Sequence, residues 1–116
     1  MKIRIKDNSL RFRLTQSEVA KLGEEGMISS FTEFVDRPFI YSIERTEDVD
    51  LSAAFIENRI VLKMPATMIT EWISTDRVGF EGQAGKIKLL IEKDFVCIDN
   101  TVEDQSDNYP NPNIKC

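Results

Sequence analysis

Four carboxylates towards the C-terminal end of the chain have the chemistry of a cation site. They are Asp99, Glu103, Asp104 and Asp107. Carboxylate oxygens, together with carbonyl or Asn oxygens, are the hard ligands that Ca²⁺ and Mg²⁺ take. The spacing does not match an EF-hand loop, because the required turn glycine is missing. The alternative interpretation is that this acidic segment wraps over a sheet, with Tyr109 as its apolar anchor.

The two cysteines form a second candidate site. Cys97 and Cys116 are too few and too far apart for a zinc ribbon or a CxxC redox pair. A thiolate metal site completed by Asp99 would contain only two sulfurs. In a cytoplasm the thiols stay reduced, whereas in an exported protein they could form a disulfide that closes the tail. We therefore keep them as a possible thiol pair.

A basic strip begins the chain. Its members are Lys2, Arg4, Lys6, Arg11 and Arg13, and they alternate with Ile, Leu and Phe residues. Side chains alternate across a strand, so a hairpin over these residues places all five cations on one face. Such a face contacts an anion, a nucleic acid or a protein partner. Alternatively, it is a solubilising face or docks an acidic segment of the same chain.

The sequence lacks the residues and motifs of several common catalytic sites. The chain contains no histidine, which excludes Ser-His-Asp hydrolysis, Cys-His catalysis and the ordinary histidine-ligated zinc site. It has no phosphate loop and no GxGxxG motif, and Gly79, Gly82 and Gly85 precede a predicted strand instead of opening a helix. We expect a protein that is not an enzyme and has no cofactor.

Composition indicates one folded domain and does not identify its partner, which we expect to be a protein. The 116 residues are 41% hydrophobic and 30% charged, which is typical of one globular domain. The net charge of −5 disfavours nucleic acid. No apolar run approaches the roughly 20 residues that span a bilayer, and residues 1–6 do not resemble a signal peptide. We expect a cytoplasmic protein that does not contact membranes.

The elements that position these residues follow from the hydrophobic pattern. Residues 1–46 read as a hairpin, a helix over about residues 16–22 that ends at Gly23, and two strands. Thr15 and Glu18 have the spacing of a capping box. Residues 51–93 read as a second hairpin, a helix over about residues 66–74 with Trp72 on its core side, and two further strands. Residues 94–116 form an irregular acidic tail.

The pattern repeats within this single predicted domain. Leu14 corresponds to Met64 at an offset of 50 positions, and Ile43 corresponds to Ile91 at an offset of 48. The alternative is two unrelated units in one sheet. In either case the sequence predicts an α+β fold, with a mainly antiparallel sheet or small barrel built from two hairpin-helix-strand-strand units.

Two resemblances add to this interpretation. The opening motifs KIRIK and LRFRLT at residues 2–15, with EKDFVC and EDQSDNYPNP at residues 92–112, resemble a family of small uncharacterised bacterial proteins of unknown function. This resemblance implies no activity. RIVLKMP at residues 59–65, followed by a predicted helix and DRV at residues 76–78, is similar to the swapped-hairpin half of AbrB-type transcription factors and antitoxins. It implies two halves paired in one DNA-binding barrel.

Together these features predict a small binding or interaction domain without catalytic activity. One alternative is a cation-binding domain that uses the C-terminal carboxylates. A third hypothesis is a nucleic-acid binder that uses the basic N-terminal hairpin.

Overall fold

The computed structural model describes residues 1–96 and 104–110. Within them the order hairpin, helix, strand, strand occurs twice, as predicted. The first half contains β1 (Lys2–Lys6), β2 (Ser9–Leu14), α1 (Gln16–Glu25), β3 (Met27–Glu33) and β4 (Pro38–Thr46). The second half contains β5 (Ser52–Ile56), β6 (Arg59–Pro65), α2 (Ala66–Ser74), β7 (Gly79–Ala84) and β8 (Ile87–Lys93).

The strands form two sheets of four strands each. The first sheet has the order β1-β2-β8-β7, and the second has the order β3-β4-β6-β5. The pairs β1-β2, β3-β4, β5-β6 and β7-β8 are antiparallel, whereas the central pairs β2-β8 and β4-β6 are parallel. The α+β class is confirmed. The sheets are mixed, however, and the described residues form no closed barrel, because the edge strands of one sheet do not pair with those of the other.

Each sheet combines the hairpin of one half with the last two strands of the other half. Leu14 lies opposite Lys93 in the first parallel pair, and Met64 lies opposite Arg45 in the second. Leu14 and Met64 are 50 positions apart, and Arg45 and Lys93 are 48 apart. These are the offsets of the sequence pattern, so the two parallel pairs have equivalent registers. The arrangement agrees with an internal repeat, whose origin by duplication stays a prediction.

One hydrophobic core lies between the inner faces of the two sheets and the two helices. Phe12 of the first sheet, Leu62 of the second and Trp72 of α2 are completely buried in it. Full burial of a side chain of this size contributes about 1.5–3 kcal/mol. Because both halves supply strands to both sheets, neither half can build this core by itself.

The beginning of α1 follows the prediction and its end does not. The Glu18 carboxylate accepts hydrogen bonds from the Thr15 backbone N–H at 2.9 Å and from the Thr15 hydroxyl at 3.1 Å, as the capping spacing predicts. The helix continues past Gly23 to Glu25 and ends at Gly26, whose φ is +75°. Gly26 supplies the left-handed residue that closes many helices. Gly23 instead lies where α1 approaches Ile73 of α2.

The bounds of α2 and the structural role of Trp72 are confirmed. The helix spans Ala66–Ser74 and follows Pro65, the last residue of β6. The Trp72 indole N–H donates to the Val78 carbonyl at 3.0 Å, and its ring meets the Phe80 ring edge-on. An indole N–H needs such a partner when it is buried. Trp72 therefore holds the loop after α2 against the core.

The described part of the C-terminal segment packs across the end of the first sheet. Phe95 and Tyr109 form a parallel bridge, and the Tyr109 N–H donates to the Asp94 carbonyl at 2.8 Å. The Gln16 N–H at the beginning of α1 donates to the Asp107 carbonyl at 3.0 Å. Tyr109 packs against the core, as expected for an apolar anchor. No helix among the described residues has the length and apolarity to cross a bilayer.

Candidate anion-binding face

The outward face of the first sheet gathers the basic strip predicted from the sequence. The register places its residues in three rows across the strands: Lys2, Arg13, Glu92 and Gly79; Arg4, Arg11, Leu90 and Glu81; Lys6, Ser9, Lys88 and Gln83. We call the cations of these rows the basic face: Lys2, Arg4, Lys6, Arg11, Arg13 and Lys88. All five predicted residues thus lie together, and β8 adds a sixth cation.

Strand alternation is the local reason for this arrangement. Between Arg11 and Arg13 lies Phe12, which points to the core and is completely buried. Leu10 and Leu14 continue the inward side of β2. A one-residue slip of β2 would bury two guanidinium groups and expose three apolar side chains. The burial of the inward residues therefore determines the direction of the cations.

Two adjoining open depressions lie on the basic face. One has a volume of about 320 Å³ and is lined by Lys2, Ile3, Arg4, Arg11 and Arg13. The second has a volume of about 270 Å³ and is lined by Arg4, Lys6, Ser9, Leu10, Arg11, Lys88 and Leu90. Arg4 and Arg11 border both. Cations therefore surround a continuous shallow surface wide enough for several anionic groups.

Glu92, which belongs to the same face, already forms ion pairs with two of its cations. Its Oε1 atom accepts a hydrogen bond from Arg11 Nε at 2.6 Å and lies 3.2 Å from Arg13 Nε. Both pairs are partly exposed, so each contributes about 0.2–1 kcal/mol to stability. Glu92 shows that two guanidinium groups of this face can share one carboxylate.

The end of the face nearest the C-terminal segment is occupied by a second internal acid. Lys2 Nζ lies 3.1 Å from Asp94 Oδ2. Asp94 is buried, whereas the Lys2 side chain is 44% exposed. Lys2 therefore helps to hold the residue after β8, and it is not fully available to an external anion.

Sequence reasoning missed Lys88 and Glu92 as members of this face. Both lie on β8, far from the first hairpin in sequence, and they join it only through the parallel pairing of β2 with β8. The alternation of Ile87, Leu89 and Ile91 predicts that Lys88 and Glu92 share a face. It does not predict which hairpin lies beside them.

The predicted cation site is only partly described. Asp99 and Glu103 lie outside the described residues. Asp104 Oδ1 accepts a hydrogen bond from the Ser106 N–H at 3.0 Å, and the Asp107 carboxylate accepts from the Ser17 N–H and hydroxyl. No group of three or more metal-ligating side chains occurs in the described ranges 1–96 and 104–110. The metal hypothesis stays a prediction.

The same hydrogen bonds affect the acidity of these two carboxyls. The Ser17 hydroxyl, with Thr15, lowers the pKa of Asp107, and the Ser106 N–H lowers the pKa of Asp104. Hydrogen bonds to a carboxylate favour its charged form. Asp104 thus stabilises a turn within the tail, and Asp107 attaches the tail to α1. Cys97 and Cys116, the possible thiol pair, also fall outside the described residues.

A groove of about 710 Å³ lies between the helices and the C-terminal segment. Among its lining residues are Val19, Ile73, Asp76, Lys93 and Tyr109. Lys93 is buried; its ammonium donates to the Thr75 carbonyl at 3.0 Å and lies 5.1 Å from the centre of the Tyr109 ring. Burial lowers the pKa of Lys93, and Asp76 partly offsets this effect. Through these contacts Lys93 holds the C-terminal segment in place.

Comparison with known proteins gives one match. The model of a family of unknown function, DUF7009, matches residues 1–113. The chain belongs to this family. No curated protein and no solved structure matches it. The predicted resemblance to a family of unknown function is confirmed, and membership assigns no activity. The resemblance of residues 59–78 to AbrB-type factors is not tested by this match and stays a prediction.

Proposed function

We propose that this protein is a small cytoplasmic interaction domain without catalytic activity, and that its basic face binds an acidic segment of a protein partner. The observation that supports the proposal is the collection of six basic side chains around two adjoining depressions. In the three rows of this face, as the structure describes them, only Glu81 and Glu92 are acidic. The face is therefore strongly positive on a chain whose net charge is −5.

The spacing of the rows suits an extended polypeptide. Successive rows are two residues apart along a strand, which corresponds to about 6.8 Å. An extended peptide places alternate side chains on one side at the same interval. Acidic residues at alternate positions would therefore meet successive rows of cations. The carboxylate of Glu92 between Arg11 and Arg13 is an internal example of this contact.

Three cations are available for such a contact. Arg4, Lys6 and Lys88 are exposed, and none takes part in an ion pair within the described residues. The rows of this face contain no aromatic side chain. Proteins that bind single-stranded nucleic acid typically stack bases on aromatic rings. An acidic polypeptide therefore suits the face better than a single-stranded nucleic acid.

The proposal can be tested with a labelled peptide of ten residues in which Glu alternates with Thr. Fluorescence anisotropy at low salt measures its affinity for the wild-type protein and for the triple variant Arg4→Gln, Lys6→Gln, Lys88→Gln. We expect about tenfold weaker binding by the triple variant, since three exposed contacts of about 0.5 kcal/mol are removed. Glu92→Gln should strengthen binding, because it makes Arg11 and Arg13 available to the peptide.

The matched control removes the same charge elsewhere. Lys21→Gln, Arg37→Gln, Arg45→Gln replaces three exposed cations outside the basic face and should leave the affinity unchanged. Equal weakening by both triple variants would contradict the proposal, because the peptide would then respond only to net charge. Tighter binding of a thymidine 20-mer than of the peptide at the same salt would favour the nucleic-acid hypothesis instead.

A further inference from the structure

The outward face of the second sheet is mixed, with apolar side chains next to serines and to charges of both signs. Its register places Met27, Phe31, Ile40, Ala54, Ile56 and Val61 on the side away from the core, and we call this set the apolar face. Phe31 is 64% exposed, Ile56 61% and Met27 43%. Val61 is buried but does not belong to the core between the sheets. An exposed apolar surface on a sheet is typical of a contact with another protein.

Polar atoms on this face also lack partners. Ser42 Oγ and Arg59 Nε are buried and have no hydrogen-bond partner in the described structure. Buried polar atoms are nearly always paired in native proteins. Both atoms are already covered within the single chain, so they belong to the closely packed centre of this face and are not points of contact for a second surface.

The charges of the face are balanced. Glu33 and Glu44 lie on the same side of the sheet as Arg59 and Lys63. Glu44 and Lys63 are cross-strand neighbours, yet no ion pair joins them in the part of the chain that is described. The chain as a whole carries a charge of −5, so contact through most other surfaces would bring like charges together. Contact through this face would not.

The strand order makes the face complementary to itself. A two-fold axis parallel to the strands, between β4 and β6, places β4 of one copy over β6 of the second copy and β3 over β5. Because the axis is parallel to the strands, each row of cross-strand neighbours in one copy lies over the same row of the second copy. Glu44 then faces Lys63 of the second copy, and Phe31 faces Ile56 of the second copy. Each contact occurs twice, as a two-fold interface requires.

We propose that two copies of this chain associate through their apolar faces, with the sheets packed face to face about such an axis. Packed sheets lie about 10 Å apart with strands about 30° from parallel, which leaves the central rows in contact. This dimer does not depend on the proposed binding of an acidic partner, because the basic face lies on the other sheet.

The area of the apolar face indicates how tightly the proposed dimer should associate. Four strands at about 4.8 Å spacing and about six residues at 3.3 Å rise cover roughly 15 by 20 Å. This footprint is well below the 800 Å² or so that each partner contributes to a standard interface. We therefore expect a weak dimer, with dissociation in the range of about 10–500 μM.

Sedimentation velocity of the full chain from about 10 μM to 1 mM tests the proposal in this range. The wild-type protein should show a concentration-dependent rise in sedimentation coefficient towards that of a dimer. Phe31→Ser should weaken association at least about tenfold, because it removes an apolar contact on both sides of the axis. Val49→Ser, a matched change of an exposed apolar residue outside the sheets, should have no effect.

Two charge variants test the axis itself. In Glu44→Lys each copy presents lysines at positions 44 and 63, and in Lys63→Glu each copy presents glutamates at both. The proposed axis places like charges opposite each other in both homodimers, so each variant alone should be monomeric. Their equimolar mixture pairs opposite charges twice and should form a one-to-one dimer.

Three results would overturn the proposal: a monomeric wild-type protein at 1 mM, association unchanged by Phe31→Ser, or a mixture of the two charge variants that stays monomeric. Circular dichroism melting of each variant confirms that it is folded. The substituted side chains are at least partly accessible to solvent, so these variants leave the core unchanged.

Discussion

Asp107 shows how one side chain connects the C-terminal segment to the rest of the molecule. Its carbonyl accepts from the Gln16 N–H, and its carboxylate accepts from the Ser17 N–H at 3.3 Å and from the Ser17 hydroxyl. These donors belong to the first turn of α1, where the helix has orphan N–H groups and the positive end of its dipole. Asp107 therefore caps α1 from 90 residues further along the chain.

Replacing Asp107 by Asn should lower the melting temperature at pH 7. The Ser17 hydroxyl lowers the pKa of Asp107 in the folded protein, so the charged carboxylate stabilises the fold above the unfolded pKa. This stabilisation is lost as the pH falls through the lower, folded pKa. The difference between wild type and Asp107→Asn should thus shrink as the pH falls below about 4, the ordinary pKa of an aspartate.

The measurement is thermal unfolding by circular dichroism between pH 2 and pH 7. Asp48→Asn is the control, because Asp48 is exposed on the connection between β4 and β5 and not at a helix end. A melting difference for Asp107→Asn that is as large at the lowest pH as at pH 7 would contradict the role of its charge.

At the scale of elements, the edge strands β1, β3 and β5 differ in the side chains that they present to other chains. β1 carries Lys2, Arg4 and Lys6, and charged edge strands resist pairing with a further strand. β3 and β5 border the apolar face, with Phe31 on one edge and Ile56 on the other. Both proposed contacts of this protein therefore involve outward sheet faces and not its core.

Gly23 lies at the contact between the two helices, against the end of the Ile73 side chain. A Cβ atom at this position would lie 2.2 Å from Ile73 Cδ1, which is too close for van der Waals contact. Gly inside a helix costs about 1 kcal/mol relative to Ala. The close approach of the helices thus explains why α1 contains a residue without a side chain at this position.

Gly23→Ala should therefore have different effects in two backgrounds. In the wild-type protein, the gain in helix propensity is offset because Ile73 must move. In Ile73→Val, which removes Cδ1, the same change should stabilise the protein by about 1 kcal/mol. A double-mutant cycle from urea unfolding measures this difference. Equal effects of Gly23→Ala in both backgrounds would show that the two side chains do not compete for space.

At the scale of the whole molecule, the two halves depend on each other. The hairpin β1-β2 is completed by β7-β8, and the hairpin β5-β6 is completed by β3-β4. The core contains buried residues from all of these pairs and from both helices. A polypeptide ending after β4 would expose the inner side of both its hairpin and its strand pair.

We expect residues 1–48 and residues 49–116, expressed separately, to lack cooperative thermal unfolding as monomers. Mixing them in equal amounts should restore a cooperative transition and a one-to-one complex, since the cut lies in the exposed connection between β4 and β5. Circular dichroism melting and gel filtration measure both properties. Cooperative melting of either monomeric half would contradict the interdependence of the two sheets.

Local pattern was sufficient to predict the elements. The hairpins, α2 and the capping of α1 follow from alternation, helical spacing and the pair Thr15 and Glu18. The end of α1 was mispredicted because both Gly23 and Gly26 follow its apolar positions. Distinguishing them requires the position of α2, since Gly23 is a site of helix contact and Gly26 adopts a positive φ.

Local pattern also predicted part of the candidate site, and the rest depended on the tertiary structure. Alternation alone places Lys2, Arg4, Lys6, Arg11 and Arg13 on one face, because a strand with buried Phe and Leu residues must turn its cations outwards. The acidic members of that face were not predictable, since carboxylates are numerous along the chain and their neighbours depend on pairing between distant strands.

The amino-acid sequence by itself determined the class of fold, the order of elements, the common face of the basic strip and the absence of histidine chemistry. These properties depend on residue type and on spacing within one element. Only the tertiary structure decided that β2 pairs with β8 and β4 with β6, since pairing between distant strands depends on the burial of both partners at once. That choice divides the strands into two sheets and gives the molecule one basic and one apolar outer face.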